Sequence, residues 1–147
     1  MSGLLLTIDA GERFFVNGAL LENGDRPARI RVRDNDARVL RCRDALEPQA
    51  VNTPVKRVYY AIQLMITGDI EDEDVLPALR RECERLADVF ATVDGAMIPS
   101  LLSMFDRGNY YSALCHLRRA IVLEAELLER FGVELGNAAD RSSERAA

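Results

Sequence analysis

Residues 39–66 read VLRCRDALEPQAVNTPVKRVYYAIQLMI, and the spacing of apolar residues changes within this stretch. Before Pro48 apolar and polar residues alternate, which is typical of a half-buried β-strand. After Pro48 the apolar residues recur with the period of an α-helix. The change predicts an α+β protein, with a β segment over residues 1–47 and a helical segment over residues 48–132.

The β segment is predicted to be a small antiparallel sheet, a meander of short strands. Asn17-Gly18 is typical of a two-residue type I′ hairpin turn. The stretch at residues 29–33 alternates strictly, so a strand there turns Ile30 and Val32 inward. Further along, Leu40 and Cys42 share one face, and the opposite face carries arginines. The pattern predicts an arginine-rich outer surface made of Arg29, Arg31, Arg33, Arg41 and Arg43.

The helical segment is predicted to be a bundle of four helices. Thr53 is a suitable N-cap with Pro54 at the first helical position. A second helix is expected from about Asp74, a short third one after Asp94, and a fourth from Tyr110. From about Asn137 the chain is small and polar, and we expect a flexible tail over residues 133–147.

Charge is distributed unevenly along the chain. The formal net charge is -5, which disfavours nucleic-acid binding by the protein as a whole. Residues 26–43, however, hold seven arginines against Asp34 and Asp36. Arginine binds phosphate bidentately and stacks on bases, so this surface is a candidate RNA-binding site. The alternative is a solvated strand face whose arginines pair with acids, namely Asp34, Asp36, Asp44 and Glu47.

Signs of catalysis and of membrane insertion are sparse. His116 is the only histidine, and its neighbour Cys115 lies about 100° away around a helix, a poor arrangement for a nucleophile and its base. We therefore expect no enzymatic activity, no metal and no cofactor. No apolar run reaches the roughly 18 residues of a membrane span, which predicts a cytoplasmic protein without membrane association. The three cysteines are expected to be buried free thiols: Cys42, Cys83 and Cys115.

Several segments, in order and over most of the length, resemble the FlbT family of bacterial flagellar regulators. They are Leu4-Leu5-Leu6-Thr7, Gly11-Glu12-Arg13, Val16-Asn17-Gly18-Ala19, Glu22-Asn23-Gly24-Asp25-Arg26, Thr53-Pro54, residues 58–65, Val89-Phe90 and residues 108–114. The resemblance implies a post-transcriptional repressor of flagellum biogenesis. Such a protein associates with the 5′ untranslated leader of flagellin mRNA and promotes its degradation. Partnership with FlaF and with flagellin is also implied, and protein binding with an indirect effect on the mRNA is the alternative.

The β segment alone is also similar to the mRNA-binding CsrA family. Leu6-Thr7 and Gly11-Glu12 match its opening, and residues 39–44 resemble its closing strand. Ile8 and Asp9 stand where that family has two basic residues. This similarity implies RNA contact by Arg43. It also implies a homodimer through the β segment, and the apolar run Leu4-Leu5-Leu6 suggests its interface.

Overall fold

The computed structural model describes residues 4–34 and 36–146, with side chains described as far as Phe131. The strands are β1 (Leu4–Ile8), β2 (Arg13–Val16), β3 (Ala19–Glu22), β4 (Ala28–Val32) and β5 (Val39–Arg41). Two single-turn 3₁₀ helices follow, at Cys42–Asp44 and Pro48–Ala50. The α-helices are α1 (Pro54–Thr67), α2 (Asp72–Phe90), α3 (Met97–Asp106) and α4 (Tyr110–Ala146). Within the described residues, the predicted α+β order of antiparallel strands followed by four α-helices is confirmed.

The end of the chain differs in part from the prediction. Helix α4 continues past residue 132, the predicted end of the helical segment. The flexible tail predicted for residues 133–147 falls beyond the last described side chain, so it stays a prediction.

The strand order is not that of a simple meander. Strands β1 and β4 form a two-stranded ribbon, and the other three form a separate sheet in the order β3-β2-β5. The amide of Asn23 explains this arrangement, because it donates to the carbonyl oxygens of Ile8, Asp9 and Arg26. These bonds hold the loop after β3 against the end of β1, so the next strand pairs with β1. The type I′ turn is confirmed, with positive φ at Asn17 and Gly18.

The three-stranded sheet is the middle layer of the molecule. Phe14 and Val39 belong to a small apolar cluster with residues of the β1–β4 ribbon. Phe15 and Leu40 belong to the main core, which is otherwise helical. Side chains therefore alternate between the ribbon on one face of the sheet and the helices on the other.

Arg38 joins the β segment to the helices. Its guanidinium pairs with Asp72 at the start of α2, where one of the two bonds measures 2.8 Å. The same group lies over the Tyr110 ring, 4.9 Å from its centroid, and reaches the carbonyl oxygen of Met65. The backbone N–H of Arg38 donates to the side chain of Asn17. One arginine thus fixes the hairpin turn, α1, α2 and α4 relative to each other.

Helix α1 receives a cap from a distant residue. Glu124 of α4 is buried, and its Oε2 accepts a hydrogen bond of 3.0 Å from the backbone N–H of Val55. Thr53 accepts from the N–H of Lys56, as its predicted role as N-cap requires. Two of the free N–H groups at the start of α1 are therefore satisfied by side chains.

Replacing Glu124 with alanine is expected to lower the free energy of unfolding by about 1–3 kcal/mol, because the buried Val55 N–H loses its acceptor. Urea unfolding followed by circular dichroism measures the change. Glu126→Ala removes an exposed glutamate of the same helix and is the matched control, with an expected change within about 0.5 kcal/mol. Equal losses in the two variants would contradict the capping role.

Candidate functional site

The outer face of strand β4 carries an arginine row, Arg29, Arg31 and Arg33. Arg29 and Arg31 alternate along the strand with Ile30 and Val32, which pack into the small apolar cluster. Arg33 follows directly after the strand. All three arginines of the row are exposed. The predicted outward orientation of Arg29 and Arg31 on this strand is confirmed, and Arg33 is exposed just beyond the strand's end.

The neighbours of the arginine row on β1 are uncharged. Thr7 lies opposite Arg29, and Leu5 lies opposite Arg31. Both are exposed, Leu5 with 49% of its surface accessible. Side chains opposite each other in an antiparallel pair share a face, so cationic, hydroxyl and apolar groups form one surface.

Ion pairing separates the arginines of the β segment into two groups. Arg13, Arg38, Arg41 and Arg43 each pair with a carboxylate. In the part of the chain that the structure describes, no ion pair involves a member of the arginine row. None of the acids considered as its partners forms an ion pair with it there, and Asp44 pairs instead with Arg118 of α4 at 3.2 Å. The row is therefore free to bind external anions.

Arg41 is not an exposed binding residue, so its predicted place on an outer face is wrong. Its side chain is 9% exposed and binds both carboxylate oxygens of Glu12, each at 2.7 Å. A further bond of 2.8 Å reaches the carbonyl oxygen of Thr7. The reason is the layer arrangement: Arg41 lies opposite Phe14, on the sheet face that the ribbon covers. Arg41 connects two layers of the protein.

Arg43 lies outside any strand, because β5 ends at Arg41 and the chain turns into a 3₁₀ helix. Alternation of faces therefore stops before this residue. Its side chain is 53% exposed and lies 3.2 Å from Asp9 and 3.5 Å from Glu12. Arg43 remains accessible, but two carboxylates already offset its charge. Its charge is therefore less available to an external anion than that of an arginine without an ion pair.

The pairing with Arg41 makes Glu12 a strong acid. The hydrogen bonds from Arg41 are the main cause that lowers the pKa of Glu12 from 4.5 to about 2, against the opposing effect of burial. The carboxylate therefore contributes stability that is complete above about pH 4.5. That contribution is lost as the pH falls from 4.5 through about 2.

We expect the Glu12→Gln variant to be less stable than the parent near pH 6. The difference in free energy of unfolding between the two proteins should become smaller as the pH approaches 2.5. Glutamine keeps the shape of the side chain but does not titrate, so only the parent loses this contribution in acid. Urea midpoints of both proteins across this range give the comparison. A gap that stays constant with pH would contradict the assigned cause.

The histidine, the cysteines and the potential metal ligands form no second candidate site within the described residues. Nε2 of His116 lies 2.7 Å from the carbonyl oxygen of Met97. The cysteines are free thiols; Cys83 is buried, which raises its pKa to about 12, whereas Cys42 and Cys115 are only half-buried. Over residues 4–34 and 36–131, no three metal-binding side chains cluster together. No described helix is long and apolar enough to cross a membrane.

Comparisons with known proteins agree over most of the length. The family described as "Flagellar protein FlbT" matches residues 4–128. The "Probable flagellum biosynthesis repressor protein FlbT" of Brucella ovis is 32% identical over 136 residues, which are 86% of this chain and 83% of the relative. The "Flagellum biosynthesis repressor protein FlbT" of Caulobacter vibrioides is 30% identical over 129 residues, 85% of this chain and 89% of the relative. No solved structure matches the chain.

The fold and the arginine row define a small α+β protein whose candidate site is an exposed cationic surface on a β ribbon, rather than a pocket. The chain belongs to the FlbT family of flagellar proteins.

Proposed function

We propose that this chain is a post-transcriptional repressor of flagellum biogenesis that binds the 5′ leader of flagellin mRNA through the arginine row and promotes degradation of the message. The repressor role rests on the relatives, whose names describe them as flagellum biosynthesis repressors. The RNA target is the one implied by the sequence resemblance. The observation that carries RNA binding is that Arg29, Arg31 and Arg33 are exposed and take part in none of the described ion pairs.

The geometry of the arginine row suits a single RNA strand. Residues two apart on one face of a strand are separated by about 7 Å, so Arg29 and Arg31 form a line, and Arg33 follows it just beyond the strand's end. Phosphates spaced along an extended nucleotide chain can meet such a line one after another. Leu5 and Thr7 on the neighbouring strand offer apolar and hydrogen-bonding contacts for bases. Sequence-specific proteins usually read RNA in single-stranded or loop segments, where the bases are accessible.

Binding of purified protein to fluorescently labelled flagellin leader RNA tests this function. We expect saturable binding, and weaker binding to a fully paired RNA hairpin with the same number of nucleotides and therefore the same charge. In cells, the half-life of flagellin mRNA after transcription is stopped should be shorter with the chain present than without it. No binding to leader RNA, or an unchanged half-life, would contradict the corresponding part of the proposal.

A protein-interaction role is the second candidate, favoured by exposed apolar side chains on the helical segment. Val89 near the end of α2 is 51% exposed, Val93 in the turn after it is 44% exposed, and Val122 of α4 is 58% exposed. Under this alternative, FlaF or flagellin binds the helices and the effect on the mRNA is indirect. Pull-down of purified FlaF or flagellin by the parent, and its loss with Val122→Lys, would support it if leader RNA is not bound.

A further inference from the structure

Strand β3 is the exposed edge of the three-stranded sheet, since β5 at the other edge is buried. It pairs with β2 on one side, and within the described residues nothing pairs with its other side. All four of its residues, Ala19 to Glu22, are exposed. An unprotected edge of this kind presents backbone groups to which another strand can pair.

The strand extends beyond the layers that cover the rest of its sheet. Leu21 lies opposite Phe14 on the ribbon side, and Leu20 lies opposite Phe15 on the helix side. Phe14 is only 7% exposed, but Leu21 is 42% and Leu20 56% exposed. The ribbon and the helices thus cover β2 and leave apolar side chains uncovered on both faces of β3. Apolar surface on both faces of a free edge favours extension of the sheet by a further strand.

The hairpin turn fixes which backbone groups point outward. In a two-residue hairpin the residues next to the turn, Val16 and Ala19, form a hydrogen-bonded pair, and the following pair does not. Leu20 belongs to that following pair, so its N–H and C=O point away from β2 toward the free edge.

We propose that β3 pairs antiparallel with β3 of a second copy of this chain, with the two-fold axis passing beside Leu20. Both copies then exchange hydrogen bonds through Leu20, as a hydrogen-bonded antiparallel pair does. In this register Leu21 meets the small Ala19 of the other copy, and Glu22 meets its Gly18. Like charges do not face each other, the two Leu20 side chains meet at the axis, and on either side of it a large side chain opposes a small residue. The contact is isologous and closed, as in most homodimers.

This interface differs from the one that the sequence suggested. Strand β1 also keeps one unpaired edge beside its pairing with β4, but Leu6 is buried within its own chain with 4% of its surface exposed. Strand β1 is exposed on one face only, where Leu5 lies beside the arginine row. The apolar run at the start of the chain is therefore mainly internal, whereas β3 is open on both faces. The dimer joins two three-stranded sheets into one of six strands.

Light scattering coupled to gel filtration, at micromolar concentration, tests the dimer. The parent should have twice the 16.4 kDa mass of one chain. Leu20→Lys places a charge at the two-fold axis and should elute with the mass of one chain, and Leu21→Lys provides a second, independent disruption. Leu5→Lys is the matched control, since it introduces the same charge at an exposed leucine of the ribbon, and it should remain a dimer. Thermal melts show whether each variant is folded.

A parent protein with the mass of one chain would overturn the dimer. A folded Leu20→Lys variant that stays dimeric would overturn this interface, as would a Leu5→Lys variant that dissociates. The test is independent of the proposed function, because a monomer that binds leader RNA would refute the dimer and leave RNA binding in place.

Discussion

Replacing Glu12 with alanine is expected to lower the free energy of unfolding by about 3–5 kcal/mol, because Arg41 would keep a buried charge and lose its partner. Both side chains of this pair are less than one-tenth exposed. The pair also ties the turn after β1 to β5, so its loss should loosen the contact between the ribbon and the sheet. Chemical unfolding at neutral pH measures the change.

Glu22→Ala is the matched control for this experiment. Glu22 also pairs with an arginine of the β segment, Arg13, at 2.9 Å, but both partners are more than half exposed. Exposed pairs contribute little to stability, so no marked change is expected. A similar loss of stability in the two variants would contradict the structural role of the buried pair.

The role of Arg41 changes how mutations of the β segment should be interpreted. From the sequence, replacement of Arg41 and Arg43 by alanine is expected to remove RNA contacts and leave the core intact. In the structure, Arg41→Ala leaves Glu12 charged and buried without its main partner. Loss of RNA binding in that variant could therefore result from unfolding as well as from a lost RNA contact. Variants of the arginine row test RNA contact without this ambiguity.

The triple variant Arg29→Ala, Arg31→Ala, Arg33→Ala is expected to bind flagellin leader RNA at least about a hundredfold more weakly than the parent. Each hydrogen bond to a charged group contributes about 1.5–3 kcal/mol, and about 1.4 kcal/mol corresponds to a factor of ten. The three side chains are exposed, so the melting temperature should hardly change. Fluorescence anisotropy with labelled leader RNA measures the affinity.

The control for this variant removes three arginines from the helical segment, Arg57, Arg81 and Arg130. These residues are exposed too, and the net charge of the protein changes by the same amount. A loss of RNA affinity in the Arg29, Arg31, Arg33 variant alone would place the RNA contact at the arginine row. Equal losses would mean that only the overall charge matters.

The fold was largely predictable because its signals are local. The hairpin at Asn17-Gly18 and the helix start at Thr53-Pro54 depend on the conformational preferences of a few neighbouring residues. The pairing of β1 with β4 was not predictable in this way, since the side chain of Asn23 determines it by binding the carbonyl groups of Ile8 and Asp9 at the end of β1.

The candidate site was predictable only where one strand contains it. The alternation at residues 29–33 indicates an outward row directly, and the structure agrees. The positions of Arg41 and Arg43 depend on where β5 ends and on the ribbon that covers the sheet. The local sequence pattern indicates neither of these features. The role of Arg38 in joining the β segment to the helices was not predicted. Its partners Asp72 and Tyr110 lie far along the chain, and no sequence spacing connects them with Arg38.

The dependence of leader RNA affinity on salt tests the central claim most directly. Each phosphate contact to a single strand contributes about 0.7 to the slope of log affinity against log salt concentration. If the arginine row contacts three phosphates, the slope for the triple alanine variant should be shallower than that of the parent by about 2. The helical control variant should keep the slope of the parent. Equal slopes for the parent and the triple alanine variant would contradict RNA binding through the arginine row.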